Sequence, residues 1–170
     1  MLALQCLYLM IPAFFANMAP IISKRWLAFL AIPINEKAFG KNKTYRGFVF
    51  GISFSLAVAF IQYLLQPIPA FKALGIVDYS NWIAIGFLMG FGALFGDLTK
   101  SFFKRRLGIK PGSRFFPWDQ LDFVFGALLF SALVIDYSWT TVIIIIAISV
   151  LGHILVNHSA YYLGIRNEKW

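Results

Sequence analysis

Charge, acid and sulfur are all scarce in this chain. Charged residues make up 13% of its 170 residues, with 7 carboxylates against 15 Lys and Arg. A soluble domain carries about a quarter charged residues. With 60% hydrophobic residues and a mean hydropathy of +0.76, the composition excludes an ordinary soluble domain and is that of a membrane protein. The single cysteine, Cys6, excludes a disulfide within the chain and leaves the redox compartment open. No basic n-region and no A-x-A-like site open the sequence, so its first apolar segment reads as a retained helix rather than a cleaved signal. There is no internal repeat, no low-complexity tract and no second domain, so residues 1–170 read as one membrane-embedded domain. A net charge of +8 on a soluble protein would suggest nucleic acid. Here the cations adjoin apolar spans, which points instead to anionic lipid heads or a phosphorylated ligand.

What is present is a series of apolar segments. A transmembrane helix needs about 20 mostly apolar residues. Five candidates fall near residues 2–22, 47–65, 82–95, 121–135 and 139–156. The third is short unless its helix continues into the charged stretch behind it. The run from Val142 to Ile146 would also suit a strand, but a lone strand in lipid leaves its backbone unsatisfied, so a helix is expected. The fold class is therefore all-α integral membrane, with five transmembrane helices and two long charged loops. Residues 23–46 hold Lys24, Arg25, Lys37, Lys41, Lys43 and Arg46, and residues 98–120 hold Lys100, Lys104, Arg105, Arg106, Lys110 and Arg114. With five spans these loops and the C-terminal Arg166 and Lys169 share one side, while Lys72 stands on the other. The positive-inside rule makes the loops and C-terminus cytoplasmic and the N-terminus external.

The stretch 96–122 gathers three of the seven carboxylates and six of the fifteen cations. If the third span continues as a helix, Asp97, Ser101, Lys104 and Arg105 share a face at i, i+4, i+7, i+8. Asp119 and Asp122, at i, i+3, share a face at the start of the fourth span. The two acidic groups thus lie at the same ends of adjacent helices, where they can converge. Three carboxylates beside many cations suit Mg²⁺ with a polyphosphate, because Mg²⁺ is held by one or two carboxylates and by substrate phosphate oxygens, while Lys and Arg neutralise the remaining charge. A snorkelling basic belt accounts equally well for the cations. It does not account for Asp97 and Asp122, since acids are costly near an apolar span.

The other loop ends Gly40-Lys41-Asn42-Lys43-Thr44-Tyr45-Arg46-Gly47. Lysines, a hydroxyl and glycines before a helix suit phosphate at a positive helix end, and a basic interfacial loop explains them too. The glycine spacing of a P-loop is absent. Ser149, His153 and Asn157 recur at i, i+4, i+8 and either line a cavity or bond between helices. Asn17 between Pro12 and Pro20 marks an irregular or kinked first span. Gly86 and Gly90 offer a small-residue face through which two copies could pair as a homodimer.

Several of these elements resemble the phosphatidate cytidylyltransferases. Ser101-Phe102-Phe103-Lys104-Arg105, Lys110, and Asp119-Gln120-Leu121-Asp122 follow that signature in order, except that Pro111 and Gln120 replace an Asp and an Arg. Phe115-Phe116-Pro117-Trp118 stands where that group has Gly-His-Gly-Gly. A narrower group, the CDP-archaeol synthase family, is more similar. Its opening element is matched by Pro12-Ala13-Phe14-Phe15-Ala16-Asn17-Met18-Ala19-Pro20. Its Lys-Thr-Trp-Arg-Gly element is matched by Lys43 to Gly47, with Tyr45 differing. Its C-terminal features are matched by His153, Asn157, Leu163-Gly164-Ile165-Arg166 and Trp170. Its Gly-Asp-Gly-Lys reads Gly40-Lys41-Asn42-Lys43, which loses an acid and leaves open a branch acting on a different lipid.

The resemblance implies transfer of CMP from CTP to a lipid glycerophosphate, giving CDP-archaeol and pyrophosphate, with Mg²⁺ as cofactor. It implies Asp97, Asp119 and Asp122 as Mg²⁺ ligands, with Lys104 beside them in catalysis. It assigns Lys43, Thr44, Arg46, Gly47, Ser101, Lys104, Arg105 and Lys110 to CTP or lipid phosphate. A lateral groove between two helices is expected to admit the lipid tails. Ester-linked phosphatidate as the acceptor, a CTP-dependent lipid kinase and a non-enzymatic lipid-binding subunit are the alternatives.

Overall fold

The computed structural model describes residues 1–23, 28–110, 113 and 115–162, apart from the side chains of residues 28, 153, 156, 157 and 159–161. Expectations resting on Lys24, Arg25, Pro111, Arg114, residues 163–170 and the side chains of His153 and Asn157 lie outside the described residues. The helices are α1 (Leu2–Ile22), α2 (Glu36–Phe39), α3 (Tyr45–Leu65), α4 (Pro69–Leu74), α5 (Trp82–Arg106), α6 (Trp118–Ser131) and α7 (Trp139–Tyr162). Among the described residues no strand forms, and the run at Val142 to Ile146 is helical. An isolated bridge joins Pro33 to Thr44.

The core combines small and aliphatic side chains, among them Leu9, Met10, Ala13, Met89, Ala93, Val124 and Ala127, with Tyr8, Tyr79 and Phe123. Large apolar side chains such as Leu4, Ile61, Leu64, Ile83, Leu133, Ile143 and Leu155 face outward instead. That inversion suits a lipid surrounding. Three helical stretches, Leu2–Ile22, Tyr45–Leu65 and Tyr79–Arg106, are long and apolar enough to cross a membrane, with a shorter apolar helix at Trp139–Gly152. The sequence pattern placed α6 at residues 121–135. It begins earlier and has 14 residues, about 21 Å of helix against a hydrocarbon core of about 30 Å.

Two prolines inside α1 shape its partner. Pro12 cannot donate to the carbonyl of Tyr8 one turn back. Gln62 on α3, buried, donates its Nε2–H to that oxygen at 2.6 Å. Pro20 likewise leaves the Ala16 carbonyl, and α3 approaches it at Gly51, where a Cβ would stand 3.1 Å from that oxygen. The irregular first span is therefore a helix completed by its neighbour.

α5 lies at the centre, packed on α1, α3 and α6. Gly86 and Gly90 face α3, where added Cβ atoms would stand 2.9 Å from the Ala59 Cβ and 2.6 Å from the Ser55 Cβ. This small-residue face, expected from sequence to join two copies, is thus used within the chain. Ser55 Oγ donates to the Gly86 carbonyl at 2.7 Å across it. On the opposite side Gly92 and Gly96 meet Gly126 and the Asp122 carbonyl of α6, leaving no room for a Cβ. Such stripes let helix backbones touch where lipid provides no hydrophobic drive.

Candidate active site

α5 does continue through the charged stretch, to Arg106. Its C-terminus closes in a Schellman motif: Ile109 N–H bonds the Lys104 carbonyl at 2.9 Å and Gly108 N–H the Arg105 carbonyl at 3.2 Å. Gly108, at φ 69°, supplies the left-handed residue this turn requires. Lys104, Arg105 and Arg106 fill the last turn of α5 and Asp119 the first turn of α6. Each sign is favoured there by the helix dipoles. The close packing at Gly96 and Gly126 then brings these two ends together.

The three carboxylates converge, and a lysine stands among them. Lys100 Nζ is 3.2 Å from Asp97 Oδ1, 3.4 Å from Asp119 Oδ1 and 2.7 Å from Asp122 Oδ2. The Asp122 contact is an ion pair without a directed hydrogen bond. Lys43 pairs with Asp97 Oδ2. Lys104, 7% exposed, donates to Asp119 Oδ1 at 3.1 Å and to the Ser113 carbonyl at 2.6 Å. Asp119 Oδ2 also accepts from Phe115 N–H at 2.7 Å. Burial alone would raise the Asp119 carboxyl, but the Lys104 hydrogen bonds, the Lys100 charge and the Phe115 N–H hold it below the usual carboxylate range. Three acids thus face three lysines, and the cluster is neutral as it stands.

Lys43 reaches Asp97 because a short pairing fixes its strand-like segment: Ile34 N–H bonds the Lys43 carbonyl at 2.8 Å and Tyr45 N–H the Ile32 carbonyl at 3.1 Å. Thr44 and Gly47, assigned to phosphate from sequence, stand at the start of α3. Thr44 Oγ1 caps α3 by accepting from Gly47 N–H at 3.2 Å, and Gly47 packs against Pro20. Ser101 Oγ donates to the Asp97 carbonyl at 2.8 Å within its own helix. Arg46 is half-buried in the first turn of α3, and Lys110 is exposed on the loop after α5. Ser149 is buried on α7.

Two cavities, each of about 490 Å³, meet at this cluster. One is polar, lined by Glu36, Lys41, Lys43, Ser101, Lys104 and Arg105 among others. Among the described residues, Arg105 Nε is buried without a hydrogen-bond partner. The other is a groove between α5 and α6, lined by Phe95, Phe103, Phe115, Trp118, Phe125 and Leu129, with Asp122 also in its wall. Lys100 lines both. Sequence reasoning assigned this lysine no role.

Among the described residues no three His, Cys, Asp or Glu side chains stand ready to hold a metal. The Lys100 ammonium lies between the acids. It is an internal stand-in for a cation. Carboxylate oxygens are donors of the kind Mg²⁺ takes, and Asp97, Asp119 and Asp122 supply them around one ammonium.

Apolar helices converging on this charged, cavity-bearing end define the class as a helical membrane enzyme. A solved intramembrane enzyme for archaeal membrane lipid biosynthesis is similar, with a TM-score of 0.71, 28% identity, and 88% of this chain and 90% of that one covered. The family model described as CarS-like, CDP-archaeol synthase, matches residues 1–170, and the chain belongs to that family of cytidylyltransferases. The CDP-archaeol synthase of Thermococcus onnurineus is 32% identical, over 98% of this chain and 96% of that protein. That of Methanocaldococcus jannaschii is 38% identical, over 79% and 77%.

Proposed function

We propose that the chain transfers CMP from CTP to an isoprenoid ether glycerophosphate, unsaturated archaetidic acid, giving CDP-archaeol and pyrophosphate. The observation that carries this reading is the meeting of a polar, lysine-rich cavity and an apolar groove at one carboxylate cluster. The polar cavity suits the triphosphate, with Lys41, Lys43, Lys104 and Arg105 around it. The groove suits lipid tails, and a head group at its edge would meet Lys100 and Asp122. Asp97, Asp119 and Asp122 would hold Mg²⁺, which supplies charge neutralisation at the phosphates when bound.

The residues then do what this reaction needs. A lipid phosphate oxygen forms a bond to the α-phosphorus of CTP, and the bond to the β-phosphate oxygen breaks with its electron pair leaving on pyrophosphate. The nucleophile has a second pKa near 6, so it is already ionised and needs no dedicated base. The obstacle is one anion approaching another, and the lysines and Arg105 offset that repulsion. This reading keeps five spans, with α6 continued by the turn after Ser131, and the charged end in the cytoplasm where CTP is found. Loop charge supports that orientation.

The test is incubation of purified protein with labelled CTP, Mg²⁺ and a panel of lipid phosphates differing in tail and in ether or ester linkage. Labelled CDP-archaeol and pyrophosphate are expected. Release of CDP would identify a lipid kinase, and no lipid-linked CMP with any acceptor would remove the cytidylyltransferase reading.

A further inference from the structure

Lys100 is enclosed by carboxylates from two helices packed backbone to backbone. Gly96 and Gly126 lock α5 to α6 by direct backbone contact, and any side chain there would overlap the opposite helix. The acids stand on closely packed helix ends, and the lysine's flexible four-carbon stem is the more adaptable part of the cluster. Its ammonium lies 2.7–3.4 Å from the nearest oxygens of the three acids. A magnesium ion bound to those acids would need oxygens at about 2.0–2.1 Å, so one space cannot hold both cations. Lys100 also lines both cavities. A side chain leaving the acids has the mouth of the apolar groove beside it.

We propose that Lys100 is a built-in counter-cation, which holds the three carboxylates in the unloaded enzyme and, when a divalent ion displaces it, presents its ammonium to the lipid phosphomonoester at the groove mouth. This rests on the reading of Asp97, Asp119 and Asp122 as the metal's ligands. Its consequence is an order. The lipid phosphate meets the free Lys100 ammonium only after the metal has entered, so the acceptor site is completed by the metal.

Mn²⁺ binding to the purified full chain in micelles, followed by electron paramagnetic resonance without CTP or lipid, tests it. Lys100→Gln removes the internal competitor and should bind Mn²⁺ roughly tenfold tighter or more than the natural chain, because ligand charge no longer compensated within the site sets affinity. Adding Asp119→Asn to Lys100→Gln should abolish that gain. If Lys100→Gln binds no tighter while Asp119→Asn alone still weakens Mn²⁺, the counter-cation idea falls and the acids remain the ligands. If the gain survives Asp119→Asn, the ion sits elsewhere and both fall. Should Lys100→Gln not fold, acylation of Lys100 in the natural chain, read by mass spectrometry, decides the matter. Mn²⁺ with a non-hydrolysable CTP analogue should raise its labelling several-fold, and unchanged or reduced labelling overturns the proposal.

Discussion

The backbone of Gly96 presses against the carbonyl oxygen of Asp122 so closely that no side chain fits between them. One turn beyond Gly96 on the same helix face, Lys100 meets the Asp122 carboxylate. Helix packing and the charge cluster are therefore one structure, and a change in the first moves the second.

Gly96→Ala should separate α5 from α6 and lower stability by about 1–3 kcal/mol, the usual range for overpacking a fitted contact. Gly152→Ala, where a Cβ meets nothing within 4 Å, should be neutral or slightly stabilising. Thermal unfolding of both variants in detergent distinguishes them. Equal melting temperatures would contradict the close-packing account.

Asp97→Asn, Asp119→Asn and Asp122→Asn should each reduce turnover by at least about 100-fold, the scale of losing one charge-stabilising group in a dry site. Expression should persist for Asp119→Asn, whose side chain is 23% exposed. Asp122→Asn, 4% exposed, should also lose stability, by up to about 3–5 kcal/mol, because Lys100 keeps a buried charge with less to pair it. Radiolabelled CTP assays and melts on the same preparations separate the two effects.

The Asp119 carboxyl is held below the usual range in the folded protein. Its ionised form therefore stabilises the fold above the ordinary carboxylate pKa, and that contribution is lost as pH falls through the lower folded value. The stability gap between the natural chain and Asp119→Asn should be present at neutral pH and shrink below about pH 4. Melts across an acid series check it, and a gap that widened toward low pH would refute the pairing.

Arg105→Ala should raise the KM for CTP by about tenfold, since charge-assisted phosphate contacts are worth about 1.5–3 kcal/mol, and leave the KM for lipid nearly unchanged. Thr99→Trp should do the reverse. Thr99 lines the apolar groove away from the polar cavity, and an indole there would occupy the space proposed for the tails. Initial-rate measurements with each substrate varied in turn would expose a shared pocket if both variants moved both constants.

Much of this was legible in the sequence, for identifiable reasons. α1 ends where its apolar run ends, at Ile22. The short apolar run of the third span left continuation of α5 into charge as a condition, under which Asp97, Ser101, Lys104 and Arg105 share a face, and the helix does run on to Arg106. The convergence of Asp97 with Asp119 and Asp122 followed from their places at facing helix ends. Lys100 was missed although it is at i, i+3 from Asp97. That spacing names one partner, while Asp119 and Asp122 reach it across a glycine contact that no local pattern encodes. The pairing of Lys43 with Asp97, 54 residues apart, was invisible for the same reason. Thr44 shows the opposite limit. A hydroxyl before a helix reads as a cap as readily as a phosphate ligand, and the cap is the contact formed within the chain.

The bond from Gln62 to the Tyr8 carbonyl has a consequence for biogenesis. Pro12 means that α1, emerging from the ribosome before α3, carries a carbonyl its own backbone cannot satisfy in hydrocarbon. The missing donor is synthesised more than fifty residues later, on α3. α1 is thus an incomplete membrane passenger until α3 arrives, and the first self-sufficient unit to enter the bilayer is the pair. A nascent chain stalled after α1 should be extracted from the membrane more readily than one stalled after α3, and Pro12→Ala should remove much of that difference.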